Sequence, residues 1–379
     1  MAQIAVSVVM ICGVAALAVD LGMVYVARTE IQLSADSAAL AGAWKLLDED
    51  RVLGGAAMAA VVEGARHEVA AYGYKNPVRK LHPEIPLNLN NSPSGEIVIG
   101  RLDDPTNPAA TMTFESMTTA NAVQVRVRRD EEQNGPVGMF FARVIGKDFA
   151  SVSGRSTAAF EDCIVGFELP AGSDETVQLL PFALRKVVWD QYMEGTLNGL
   201  SDGFSYSSGT KSVSAGSDGI LELNLYPGAG AGQLSPGNFG TVDLGAPNNS
   251  TKDVARQILH GLNSYDLSFF GGKIQLNDQG FLMLNGDTGL SAGIKDELAA
   301  IKGQPRVIPL FDEQSGPGNN AMFRIVGWAG IRIVDVRLTG AMNSKRLLIQ
   351  PAVVADKTAI SKPGTSASEY VYRPPSLVR

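Results

Sequence analysis

The stretch Asp20–Ala43, DLGMVYVARTEIQLSADSAALAGA, lies where an uncharged N-terminal run gives way to an alanine-rich helical pattern. Upstream of it, Ala2 to Val19 (AQIAVSVVMICGVAALAV) carries no charge over 18 residues. A helix rises about 1.5 Å per residue and roughly 20 apolar residues cross the hydrocarbon core of a bilayer, so the run is just long enough for a transmembrane anchor. Small residues around Val14 to Ala18 would also suit a signal peptidase, but no basic region precedes the run and its helical pattern continues through Asp20. The segment reads as an uncleaved anchor over residues 1–27, contacting the membrane through residues 2–27. Asp20 would be costly at mid-bilayer. Near the end of a span from about Ile4 to Met23 its carboxylate reaches headgroups or water, so it marks the membrane boundary.

Working outward on the other side, Leu33, Ser37, Leu40, Trp44 and Leu47 recur at helical spacing and form one face, a seam able to pack on another helix. Ala35, Ala39 and Ala43 form one four-residue series and Ser34, Ala38 and Gly42 another, which permits close approach of a second backbone. Packing within the chain is the plainer use of this face, and a homo-oligomer seam is the other. Gly54-Gly55 interrupts the pattern, and a second periodic set through Met58, Val62, Ala65, Val69 and Tyr72 runs to a stop at Gly73, Asn76 and Pro77. Residues 28–75 therefore read as a helical hairpin, or one helix bent at the glycine pair.

The residues Asp20-Leu21-Gly22, Tyr25, Ala27-Arg28, Gln32, Ala35-Asp36 and Ala38-Ala39-Leu40-Ala41-Gly42-Ala43 resemble the N-terminal signature of the TadG-like (TadE/G-like) proteins of the Flp, or tight-adherence, pilus assembly system. In that family an uncleaved membrane helix leads directly into this small-residue helix. The resemblance implies a bacterial inner-membrane protein, single-pass, with its bulk periplasmic or otherwise extracytoplasmic, and with pilus or secretion-system proteins as partners. The basic residues that precede the anchor in that family are absent here, which a start upstream of Met1 would explain. Charge alone does not orient the anchor, because Arg28 is balanced by Glu30.

Past the hairpin, residues 76–160 read as a small α+β domain. Glu96–Leu102 and Ala122–Arg129 are strands, the second alternating Val123, Val125 and Val127 with Gln124, Arg126 and Arg128. Pro136 opens a short helix, PVGMFFARVI, closed by Gly146, and Phe149–Phe160 is a further strand. Residues 161–379 alternate short apolar runs with Gly-, Ser- and Asn-rich loops, with helices expected only at Arg185–Met193, Thr251–Asn263 and Ser291–Lys302, and so form a larger mainly-β domain. The fold class is a membrane-anchored α+β protein: an N-terminal transmembrane helix, the helical hairpin, the small α+β domain and the β-rich C-terminal domain.

Chemistry is sparse. A net charge of −7 offers no basic field, so nucleic acid is not an expected partner. The two cysteines, Cys12 and Cys163, make no disulfide or zinc framework, and His67, His82 and His260 share no metal-ligand spacing. No phosphate loop, nucleophile elbow or zinc helix is present; GAGAG at Gly228–Gly232 lacks the following lysine, and Asp266-Leu267-Ser268, read as a loop, lacks the second serine of a metal-dependent adhesion site. No catalytic residue, cofactor or metal is expected. The functional expectation is a non-enzymatic structural or accessory component of a Flp-type pilus apparatus; the alternative is an envelope-anchored adhesion or ligand-binding protein independent of a pilus.

Overall fold

No proline interrupts residues 2 to 45, and the glycines there are single and set among Ala, Val and Leu, so one uninterrupted helix is the local optimum. The computed structural model contains that helix, α1 (Ala2–Lys45). It describes residues 2–378 except 108, 115, 171, 227–233, 236, 246–249 and 317, with the side chains at 2, 5, 6, 8, 9, 12 and 319 also outside the description. The GAGAG run, Met1 and part of the anchor expected over residues 1–27 therefore lie outside the described residues. Among the described residues no helix is long and apolar enough to cross a membrane.

The chain divides into two compact units. The first holds residues 1–48, 55–160 and 375–379. In it α1 packs along α2 (Gly55–Lys75); α1 buries Ala27, Ile31, Ala35, Ala38 and Ala39, and α2 buries Met58, Val61, Val62, Ala65 and Val69. Alanine rather than leucine at the crossing brings the backbones together, and Gly42 sits where there is no room for a side chain. A Cβ there would stand 2.5 Å from Val69 Cγ2 and 3.1 Å from Val123 Cγ1.

The same helix covers an antiparallel sheet of β1 (Ile97–Gly100), β2 (Ala122–Arg129) and the longer β5 (Val152–Glu161), whose last residue, Glu161, begins the second unit. Val123, Val125 and Val127 face inward from β2, as the alternation predicts. Gly154 on β5 lets the strand approach α1, since a Cβ there would lie 2.8 Å from the Ile31 carbonyl oxygen. The Val378 N–H donates to the Thr157 carbonyl on the far side of β5.

Between β2 and β5, β3 (Val137–Gly138) pairs with β4 (Phe149–Ala150). The helix expected to open at Pro136 is thus reduced to one 3-10 turn, Ala142–Ile145. Strand pairing takes the backbone groups at both ends, including Met139 N–H to the Asp148 carbonyl, so only the tip is left to coil. Gly146 ends that turn with φ +78°, a left-handed conformation that glycine adopts without strain.

The second unit holds residues 49–54 and 161–374. The connector 49–54, expected inside the helical hairpin, packs here because Glu49 forms a 2.6 Å ion pair with buried Arg332 and Arg51 donates to the Tyr372 hydroxyl. In chain order the unit contains β6 (Ile164–Glu168), β7 (Phe182–Arg185), α3 (Lys186–Met193), the hairpin β8 (Phe204–Ser207) and β9 (Ser212–Ala215), β10 (Leu223–Asn224) and β11 (Phe239–Val242). Next come α4 (Thr251–His260), α5 (Ser264–Ser268), β12 (Lys273–Gln275), β13 (Leu282–Asp287) and α6 (Lys295–Ala300). The unit ends with β14 (Pro305–Ser315), β15 (Ala321–Arg337), β16 (Arg346–Pro351), β17 (Val354–Ala355), β18 (Ala359–Ser361) and β19 (Val371–Leu377), of which the first residues pair in parallel with β17.

The main sheet runs β10-β16-β15-β13-β11-β7-β14, and β14 pairs back onto β15, so β15, β13, β11, β7 and β14 close a ring. A separate sheet runs β12-β6-β18. Bare glycines at Gly240 and Gly286 make room for Phe323, whose Cζ would lie 2.2 Å from a Cβ at Gly240. Edge-to-face pairs, Phe311 with Phe323 and Phe167 with Trp328, fill one core cluster, and Trp189, Phe182, Phe239 and Ile331 belong to another. The whole is α+β with a mainly-β C-terminal region. Asp266 is not in a loop: with Asn263 it makes a reciprocal capping box at the start of α5, which its carboxylate and the Asn263 side chain build together.

Candidate functional site

Asp20, Glu30, Gln32 and Ser34 of the opening stretch have partners elsewhere in the first unit. Asp20 is fully buried, and its carboxylate accepts the backbone N–H groups of Phe140 (2.8 Å), Phe141 (2.9 Å) and Ala142 (2.5 Å). Those three donors precede or open the 3-10 turn and have no partner within it, so Asp20 serves as an N-cap reaching across from α1. The expectation that this carboxylate meets headgroups or water is replaced by a hydrogen-bonded clamp. Gln32 donates to the Arg155 carbonyl at 3.0 Å and to Asp36 at 2.8 Å, tying α1 to β5. Ser34 donates to the Gly73 carbonyl, and Glu30 accepts the Arg79 N–H at 2.6 Å. A small-residue helix with four polar clamps is a joint.

The structure divides the expected seam. Leu47 is buried, Ser37 and Leu40 are half-buried, and Leu33 and Trp44 are exposed at 56 % and 50 %. The face that packs on α2 is instead the alanine face, offset by about one residue, because the shorter side chains allow the closer crossing. Ser37, Leu40 and Trp44 join Glu68 and Tyr72 of α2 to line an open groove of about 630 Å³. Its walls are mainly apolar, with Lys45 and Glu68 at the rim, and it suits an amphipathic segment better than a small polar substrate.

Buried cations support the sheet from behind. Arg66 donates to the carbonyls of Leu87 and Ile97 and to Asn91, and Arg129 donates to the carbonyls of Val78, Gly135 and Pro136. Burial pulls both guanidinium groups below their usual pKa. Arg128, on the other strand face, pairs with Glu96, Asp130 and Glu132, and the hydrogen bond it donates to Glu132, with these charges, raises its pKa. These three arginines hold loops in place.

In the second unit, buried Glu222 accepts from the Ser201 hydroxyl (2.8 Å) and from the N–H groups of Gly203 and Phe204, while buried Gln350 donates to the carbonyls of Phe204 and Ile220. This hub shapes the loop into β8. A cavity of about 400 Å³ lies beside Trp328, with Lys186 and Lys362 paired to Glu369 and Asp278 on its wall. The histidines lie apart: His67 is exposed near Glu63, His82 stacks on Tyr74, and His260 ends α4. No described group of three or more His, Cys, Asp or Glu side chains could hold a metal ion.

Sequence reasoning missed the partners of Asp20 and Gln32. The signal was present as two polar residues at fixed places in an otherwise apolar or small helix, but their acceptors and donors are backbone groups more than a hundred residues away, which carry no side-chain signature.

Residues 4–45 match the Tad family model, described as Flp pilus-assembly TadE/G-like, and residues 41–158 match a second model described as Tad-like Flp pilus-assembly. No curated protein and no solved structure matches the chain. The two matched segments overlap on α1 and together cover the clamps, the alanine crossing, the groove and the Asp20-bound turn. Through residues 4–158 the chain is thus similar to the TadE/G-like and Tad-like Flp pilus-assembly families, the resemblance read from Asp20–Ala43.

Proposed function

We infer that the chain is a structural or accessory component of a Flp-type (tight adherence) pilus assembly or secretion apparatus. It is held in the bacterial inner membrane by residues 2–27, single-pass, with its bulk outside the cytoplasm. One observation carries this reading. The helix that the family-matching unit clamps at Asp20 continues toward its N-terminus without burying any described side chain from Gln3 to Val19. Large apolar side chains there stand between 49 % exposed at Leu17 and 70 % exposed at Ile4. Each such side chain left in water forgoes about 1.5–3 kcal/mol of burial, which a bilayer restores. The uncharged run of 18 residues spans about 27 Å as helix, close to the hydrocarbon thickness.

In this reading the chain works mechanically and without catalysis. The anchor holds the first unit at the membrane, the clamps make that unit rigid with the helix, and the groove beside Trp44 receives a segment of another apparatus protein. Deleting the gene, imaging surface fibres and fractionating the envelope tests the assignment. Loss or shortening of fibres, with the chain in the inner-membrane fraction, is expected. Unchanged fibres would overturn the assignment and favour the envelope-anchored adhesion or ligand-binding alternative.

A further inference from the structure

The hairpin between β3 and β4 presents apolar side chains where a water-facing loop would hide them. Phe140 is 71 % exposed and Val144 89 %, with Ile145 and Phe149 also exposed, while Val137 and Ala142 are the residues it buries. Soluble proteins rarely leave a contiguous patch of this kind uncovered. What covers it follows from where Asp20 holds it. The carboxylate binds the N–H groups of Phe140, Phe141 and Ala142, so the hairpin tip is fixed against α1 at the residue that ends the uncharged run. Leu17 and Val24 lie one turn before and after Asp20 on nearly the same side of the helix, and exposed Leu21 adjoins it. A bilayer spanned by the run therefore meets the tip at its surface.

We propose that this hairpin is a second membrane contact, seating Phe140, Val144, Ile145 and Phe149 at the boundary between headgroups and acyl chains of the lipid bilayer. Aromatic and branched apolar side chains mixed with cations are the composition such a boundary favours. Arg143 and Lys147 supply the cations: both are exposed, and Arg143 lies 3.9 Å from Asp148 and also within electrostatic reach of Asp20. Asp20 acts as a positioning residue, since it touches no lipid and sets the height and angle of the tip. The inference rests on reading α1 as a membrane anchor.

The test uses the full chain in vesicles of phosphatidylethanolamine and phosphatidylglycerol, with part of the lipid brominated on the acyl chains close to the headgroup. Three variants each add a tryptophan, Val144→Trp at the tip, Val14→Trp in α1 and Phe114→Trp on an exposed site of the same unit, and emission is taken relative to the unsubstituted chain. The tip tryptophan should lose much of its added emission, because a residue at the interface lies at the depth of the bromines. Val14→Trp should be quenched as well and Phe114→Trp should not. Quenching of Val14→Trp without Val144→Trp overturns the hairpin contact and leaves the anchor standing. Quenching of neither overturns both, and quenching of Val144→Trp without Val14→Trp removes the anchor and with it the seating of the tip argued from α1. Equal quenching at Phe114 overturns the contact as unspecific. Adding Asp20→Ala to Val144→Trp should abolish most of the tip quenching; full retention would remove Asp20 from the account.

Discussion

Gly42→Ala puts the alanine crossing to a quantitative test. In a helix interior, replacing Gly by Ala stabilises by about 1 kcal/mol through backbone entropy alone. At Gly42 the added Cβ would meet Val69 Cγ2 at 2.5 Å and Val123 Cγ1 at 3.1 Å, both on β-branched side chains with little freedom to turn. Overpacking of this kind costs about 1–3 kcal/mol, so the net change should lie between neutral and about 2 kcal/mol of destabilisation. Gly64→Ala on α2 is the matched control. Its Cβ meets the Lys45 side chain at 3.0 Å, and that flexible chain can swing aside, so the entropy gain survives. The difference between the variants isolates packing and should be about 1–3 kcal/mol, roughly a 5- to 150-fold change in the opening constant. Hydrogen exchange read by mass spectrometry on α1 and α2 peptides of the full chain measures it locally. If Gly42→Ala protects these peptides as well as Gly64→Ala does, the close crossing is not what the glycine serves.

Two further outcomes follow from the second unit. Glu222→Ala removes the acceptor of the Ser201 hydroxyl and the Gly203 and Phe204 N–H groups, and should cost on the order of 3 kcal/mol, read as a lower urea midpoint, with the largest loss of exchange protection in β8 and β9; unchanged protection there would refute the hub. The hydrogen bond and charge of Arg324 hold the Asp312 carboxyl below its usual pKa of 3.8. Its stabilising contribution is therefore present above about pH 3.8 and is lost as pH falls through the lower folded value. Asp312→Asn should lower the urea midpoint at neutral pH and match the unsubstituted chain at the acid end, and a gap that persists unchanged with pH would contradict the pairing.

How far the fold was legible varied with the kind of interaction. The strand Ala122–Arg129 and the helix Lys186–Met193 follow from local alternation and periodicity, and the structure has them within a residue of their expected bounds. The seam was misplaced because periodicity weighs large apolar side chains, whereas this crossing selects small ones: the alanines bury and Trp44 lines the groove. The Pro136 helix failed for another reason, since its residues are also competent to pair as a hairpin and the Asp20 clamp stabilises the shorter turn. The closure of β14 onto both β7 and β15 joins residues far apart in sequence, and no local pattern announces it.

The assignment to a pilus apparatus stands or falls on what occupies the groove beside Trp44. A photo-crosslinking amino acid placed at Trp44 in the full chain, expressed in the cells that make the fibres, should capture another protein of the Flp apparatus. Leu40→Glu, on the same groove wall, should abolish that product while the chain stays folded in the membrane. Capture of second copies of this chain alone, or of nothing, would contradict the account.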